Sequence, residues 1–344
     1  MFNNHHTPTF IIAELSANHN HSFDLAVQTI KAAKKAGADA IKFQTYTPDT
    51  ITLNSDKEYF KITHGSIWDG VTLYELYKQA YTPWEWHKEL FETAKNEGLV
   101  CFSSPFDKTA VDFLETLHCP IYKIASFEIH DIPLIEYIAS KGKPVIMSIG
   151  IATYNEISEA IQACRRMGNN DITILKCTSS YPAPIQEANL LTIPDIAQRF
   201  GVRAGLSDHT METPVAVAAV ALGAKVIEKH FILDRNIGGP DASFSMMPHE
   251  FTDMVRQIRI VEQALGTVTY DLTPKSAKSR WAARSLFVCE DMKAGDVITE
   301  KNVRSIRPSH GLHPRHLPEI LGKKVNTDIE KGTPFSWDFI EKEK

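Results

Sequence analysis

The sequence predicts an α/β protein, a (β/α)8 TIM barrel followed by a small β-rich domain. Three observations carry that expectation: short β-branched apolar runs recur along most of the chain, helical patterns lie between them, and the rhythm stops after Gly266.

The runs are Phe10–Leu15, Ala40–Gln44, Val100–Ser104, Ile121–Ala125, Val145–Ile149, Ile172–Cys177, Arg203–Ser207 and Val226–Phe231. Most are nearly continuous in hydrophobicity rather than alternating, as strands covered on both faces of a parallel sheet must be. Helical periodicity marks Asp24–Ala36, which stops at Gly37, and then Trp84–Asn96, Lys108–Leu117, Tyr154–Met167 and Thr213–Leu222. Eight βα units in about 265 residues match a closed barrel in count and size. An open doubly wound sheet competes, but no GxGxxG follows the first strand. The longest gap, Thr47–Thr82, carries Tyr59, Trp68, Tyr74 and Tyr77. It reads as an extended βα loop at the C-terminal face, a candidate lid or specificity segment.

Residues 1–266 are thus assigned to the barrel, 267–282 to a polar linker and 283–344 to the small domain. Within the last, DMKAGDVIT and DIEKGTPF share one form, an acidic-led turn through glycine into apolar residues. A domain of about 60 residues is near the lower limit for folding alone, so packing on a partner subunit would stabilise it.

Composition excludes several classes. With 344 residues, 43% hydrophobic and 23% charged, the chain has the balance of a globular enzyme. A net charge of −5 argues against nucleic acid or an anionic membrane as the main partner. The five cysteines, Cys101, Cys119, Cys164, Cys177 and Cys289, form no CxxC pair, which indicates neither a disulfide framework nor a zinc-thiolate site. The opening MFNNHHTPTF lacks the basic and apolar regions of a secretion signal, and His5 and His6 read as part of an exposed polar leader. No stretch is long enough to span a bilayer, and a reducing cytoplasm fits.

Catalysis in such barrels sits at the C-terminal strand ends. Collecting the polar residues there gives Glu14, Lys42, Gln44, Ser104, Lys123, Ser126, Glu128, Ser148, Thr178, Tyr181, Ser207, His209 and His230. Converging lysines and hydroxyls are what phosphate and carboxylate groups require. A single strand-end lysine is more often a snorkelling side chain, but two inward lysines shift the balance to function. A lone histidine is more often a hydrogen-bonded core residue. His209 and His230 end neighbouring strands, however, and can share one divalent ion. Glu14 admits two readings, a buried ion pair with Lys42 or a general base, and position alone does not separate them. Asp241, in GGPDASFSM, would ordinarily be a turn residue.

At this point AELSANHN, AGADAIKFQTYTP, FSSPFD, YKIASFEI, LKCTSSYP, GLSDHT, GAKVIEKHF and IRPSHGLHP together resemble the sialic-acid synthase family, from about Phe10 to Asp338. The resemblance implies a TIM barrel with a C-terminal antifreeze-like (SAF) domain in a domain-swapped homodimer. It implies condensation of phosphoenolpyruvate with an acetamido sugar, with release of phosphate. Carried over by position, Lys42, Ser104, Lys123, Ser126, Ser148 and Ser207 would hold phosphoenolpyruvate. His209 and His230 would ligate a divalent metal, Mn²⁺ with Mg²⁺ or Co²⁺ as substitutes. Gln44, Tyr181, Glu14 and Asp241 would surround the acceptor sugar, with Glu14 first and Asp241 second for proton transfer. Arg307 would enter the partner's barrel mouth and meet an N-acyl group. Ser179 stands where N-acetylneuraminate synthases carry asparagine, and His21 where glycine is usual. The His21 turn differs locally from the family's, while Ser179 with IWD, LYELY and GLHP points to the pseudaminate-making branch. The other readings are the same chemistry giving N-acetylneuraminate or legionaminate, a Schiff-base aldolase using Lys123, and a non-catalytic carbohydrate-binding protein.

Overall fold

The computed structural model describes residues 7–63, 65 and 67–342, so His5 and His6 lie outside the described residues. The chain forms two compact units, Met1–Gly266 and Thr267–Lys344.

In the first unit eight parallel strands close into a barrel: β1 Phe10–Glu14, β2 Ala40–Thr45, β3 Val100–Pro105, β4 Tyr122–Ile124, β5 Val145–Ser148, β6 Ile172–Cys177, β7 Arg203–Asp208 and β8 Val226–His230. The helices on its outer face are α1 Phe23–Lys35, α2 Trp84–Asn96, α3 Lys108–Thr116, α4 Ile132–Ala139, α5 Tyr154–Arg166, α6 Thr192–Phe200, α7 Pro214–Ala221 and α8 Pro248–Leu265. Helix α1 shows why such segments dock. The Ser22 hydroxyl caps it by accepting from the Leu25 N–H, and Ala26, Thr29, Ile30 and Ala33 recur at helical spacing as its buried stripe. A buried isoleucine such as Ile30 contributes about 1.5–3 kcal/mol.

Register decides which side chains meet. Strand β1 pairs with β8 and with β2, so His230, Glu14 and Lys42 stand abreast on three neighbouring strands. One layer down, Ser207 of β7 stands beside Glu228 of β8. Because successive residues face opposite sides, Lys229 points away from Glu228 and His230 into the helix layer, where its ammonium donates to Asp208 Oδ2 at 2.6 Å. Gly205 in β7 is fixed by close approach, since a Cβ there would come within 2.4 Å of the Val226 carbonyl oxygen.

Strand β4 is shorter than its apolar run predicts. Ala125 already leaves the ladder for a 3-10 turn, Ser126–Glu128, which turns Ser126 towards the mouth. Helices α4, α6 and α8 add to those read from periodicity. The first two are short, with prolines at Pro133 and Pro194 that blur the pattern. The long β2–β3 segment is partly helical, over Pro48–Ile51 and Leu73–Ala80.

In the second unit, Thr267–Ala282 contains a short helix, Pro274–Ser279, capped by Thr273. Beyond it, β9 Ser285–Val288 and β10 Val303–Ile306 pair antiparallel. Leu286, Val288, Met292, Ile298, Val303 and Phe335 are among the residues of a separate core. The two similar turns meet each other: Met292 and Ile329 exchange backbone hydrogen bonds of 2.9 and 2.8 Å.

Candidate active site

The C-terminal mouth of the barrel collects buried charge. Lys42 is ion-paired with Glu14, and its ammonium lies 3.9 Å from Glu228 and 3.4 Å from Ser104 Oγ. Lys123 also lies 3.9 Å from Glu228 and donates to the Ile124 carbonyl at 3.0 Å. Ser207 donates to Glu228 at 3.0 Å. Glu14, Lys42, Ser104, Lys123, Ser148 and Ser207 are each at most 3% exposed, so these charges interact in a poorly screening interior.

Burial sets the proton affinities. It raises the Glu14 carboxyl to about 7, against the pull of Lys42. It also lowers the Lys123 ammonium, which Glu228 only partly restores. Burial would lower Lys42 too, yet Glu14 and Glu228 outweigh it and carry it above the lysine value. Glu228 itself is held below the carboxylate value, because Lys123 and Lys42 overcome the burial that would raise it.

A second wall is a hydroxyl cradle. The Gly150 N–H donates to Ser126 Oγ at 3.1 Å, and a Cβ on Gly150 would fall 2.1 Å from Ser179 Oγ. A side chain there would have to displace the Ser179 hydroxyl. Ser148 Oγ is buried without a hydrogen-bond partner, as is Oε2 of Glu228. A free hydroxyl donor beside two ammonium groups suits an anion with several acceptor oxygens.

The two histidines face each other with ring centroids 5.4 Å apart. Nδ1 of His209 lies 2.9 Å from the Thr178 carbonyl. A carbonyl only accepts, so Nδ1 carries the proton and Nε2 keeps its lone pair when the ring is neutral. His230 Nδ1 is buried without a hydrogen-bond partner, 3.8 Å from Asp241 Oδ2. Burial, then the neighbouring positive groups, holds His230 well below the usual range, so it is neutral. Among the described residues no three His, Cys, Asp or Glu side chains form a metal-ready group. The donor set is therefore two imidazoles with a carboxylate in reserve, which fits a divalent ion that keeps open positions. Cys177 Sγ lies 3.8 Å from His209 Nδ1. Burial raises that thiol, but His209 and hydrogen bonds bring it to about 7.

Gln44 donates to Ser16 Oγ at 2.9 Å, and the Asp241 carboxylate accepts from the Ala17 N–H at 3.3 Å, so both sit over the β1 end. Tyr181 packs on His209, ring centroids 4.4 Å apart. His21, in place of glycine, adopts a left-handed backbone with φ 51°. A residue that carries a Cβ costs roughly 1–2 kcal/mol in that conformation, which glycine would not. Arg307 follows β10 in the second unit and is exposed there. Glu228 escaped the strand-end reading because IEKHF hides it among apolar and charged neighbours. The one-residue alternation with His230 was the signal that it faces inward.

A family model described as NeuB matches residues 29–270, and one described as SAF domain matches residues 283–341. A pseudaminic acid synthase of Campylobacter jejuni is 52% identical over 323 residues, 94% of each chain. One of Helicobacter pylori is 49% identical over 336 residues, 97% of this chain and 98% of its own. The crystal structure of an N-acetylneuraminic acid synthetase from Leptospira borgpetersenii superposes with a TM-score of 0.71 at 31% identity, covering 80% of this chain and 90% of that one. The NeuB match covers most of the chain, and the chain belongs to the NeuB family, with a SAF domain at its C-terminal end.

Proposed function

We propose that this chain condenses phosphoenolpyruvate with 2,4-diacetamido-2,4,6-trideoxy-L-altrose and water, giving pseudaminate and phosphate. The observation that carries the product is the near-half identity to pseudaminic acid synthases along almost the whole chain. The mouth supports the chemistry. Lys42 and Lys123, with Ser104, Ser126, Ser148 and Ser207, would take the carboxylate and phosphate, and Gln44, Tyr181 and Asp241 would line the acceptor. His209 and His230 would hold a divalent cation, Mn²⁺ first with Mg²⁺ or Co²⁺ as substitutes, which supplies Lewis acidity towards the aldehyde oxygen.

C3 of phosphoenolpyruvate forms a bond to the aldehyde carbon, whose C=O π pair moves onto its oxygen, leaving positive charge on the former C2. Water adds there, loses a proton, and the resulting tetrahedral carbon expels phosphate. Glu14, which lies beside Lys42 and abreast of His230, would carry that proton to the aldehyde oxygen, with Asp241 second. Fixing both substrates in line contributes on the order of 7–11 kcal/mol where alignment is good. Arg307 would reach the barrel of a second subunit and meet an N-acyl group, in a domain-swapped homodimer. Five free, buried thiols support a reducing, cytoplasmic setting. Among the described residues no helix is long and apolar enough to cross a membrane.

The test is phosphate release from phosphoenolpyruvate and Mn²⁺ with the trideoxy-altrose, the 2,4-diacetamido-trideoxy-mannose and N-acetylmannosamine in parallel. Fastest turnover with the first supports the proposal. A preference for either of the others moves the product to legionaminate or N-acetylneuraminate. No release with any sugar favours a carbohydrate-binding protein. Borohydride trapping with EDTA-resistant turnover favours the Lys123 aldolase.

A further inference from the structure

Trp68 comes from the long segment between β2 and β3, yet it packs into the mouth. Rings run outward from the imidazoles: Tyr181 lies 4.4 Å from His209, and Trp68 lies 5.6 Å from Tyr181. A parallel line runs through Phe244, 5.0 Å from His230 and 6.5 Å from Trp68. The indole Nε1–H donates to the Pro240 carbonyl at 3.1 Å. Apart from that one donor, the indole ring is carbon. Trp68 also lines a cleft of about 420 Å³ with Asn20, His21, Gln79 and Pro240, and so stands at the boundary between that cleft and the mouth.

We infer that Trp68 is a specificity-determining residue, the apolar wall against the C6 end of the acceptor, which selects a 6-deoxy sugar over its 6-hydroxylated counterpart. The inference rests on the proposed reading that the acceptor's aldehyde lies at His209 and His230. An open-chain hexose anchored there by C1 points its other end outward, along the line of rings that ends at Trp68. A C6 methyl group gains contact with the indole. A C6 hydroxyl in the same place gives up its water partners and meets carbon. An apolar wall discriminates at this level by about 10–200-fold in kcat/KM. Removing the indole would join the mouth to the cleft and let water reach a hydroxyl at C6.

The experiment uses the full-length protein with Mn²⁺ and phosphoenolpyruvate. It compares 2,4-diacetamido-2,4,6-trideoxy-altrose with its 6-hydroxy counterpart by phosphate release. Trp68→Ala should reduce the wild-type preference for the deoxy sugar by on the order of tenfold, mainly through the acceptor KM, with the phosphoenolpyruvate KM unchanged. Trp68→Phe should keep most of the preference, and Trp68→Gln, which supplies a donor and an acceptor, should lose it as Trp68→Ala does. An unchanged preference in Trp68→Ala and Trp68→Gln, or equal losses on both sugars, overturns the inference alone. A wild-type protein that releases phosphate with neither sugar overturns the proposed function and this inference with it.

Discussion

Lys42 and Lys229 are both buried lysines paired with acidic side chains, one inside the barrel and one outside it. Outside, Lys229 donates to Asp208 Oδ2 at 2.6 Å and to the Thr210 carbonyl, while the other Asp208 oxygen accepts from the Thr210 N–H and hydroxyl at 2.9 and 2.8 Å. The protein itself satisfies that pair. Inside, Glu14 is held by Lys42, but Oε2 of Glu228, Ser148 Oγ and His230 Nδ1 are buried without hydrogen-bond partners. Burial alone therefore does not distinguish a site from a brace. The distinction is bonding capacity that the fold leaves unspent.

The comparison is broken most severely where the mouth meets the imidazoles. His209→Ala or His230→Ala should lower turnover at least about a thousandfold, on the order of 4 kcal/mol of transition-state stabilisation, with the melting temperature moved by only a few degrees. Steady-state phosphate release with a thermal melt checks both halves, and full activity in either variant refutes the metal assignment.

Next comes the contrast itself. Lys229→Met strands a buried carboxylate and should cost about 3–5 kcal/mol in urea unfolding. Lys42→Met should cost clearly less, because Glu14, already raised to about 7, can take up a proton instead. Its main effect should be a rise of about tenfold or more in the phosphoenolpyruvate KM, given that a hydrogen bond to a charged group contributes about 1.5–3 kcal/mol. The reverse order of stabilities would sink the distinction between brace and site.

The smallest effect is a pH slope. Burial raises the half-buried Glu128 from 4.5 to about 7, against Lys123. A raised carboxyl contributes stability that is fully present below the unfolded value and lost as pH rises through the folded one. Between pH 4.5 and 7 the wild type should lose about 1–2 kcal/mol relative to Glu128→Gln, allowing for solvent screening. Urea midpoints across that window that run parallel in the two proteins would contradict it.

These contrasts also explain what the sequence discloses. All eight barrel strands are legible because parallel strands covered on both faces read as short apolar runs bounded by breaks. Helices α4 and α6 are not, since short segments with an early proline carry little periodicity. Lysines and histidines at strand ends are visible, as they interrupt apolar runs. Their partnerships are not, because Glu14 meets His230 through strand register across more than two hundred residues of chain. Trp68 shows the same limit: its segment reads as a lid, but only packing reveals which ring it touches.

One hydrogen bond has a consequence for redesign. Thr178, whose carbonyl accepts from His209 Nδ1, lies directly before the Ser179–Tyr181 stretch, whose Tyr181 ring packs on His209 and is proposed to line the acceptor. Any graft that reshapes this stretch to welcome a new sugar also moves the acceptor that fixes the imidazole's tautomer. If His209 holds the proposed ion, altered substrate range and altered ion affinity would be inherited together, and a laboratory lineage selected for one should be monitored for drift in the other.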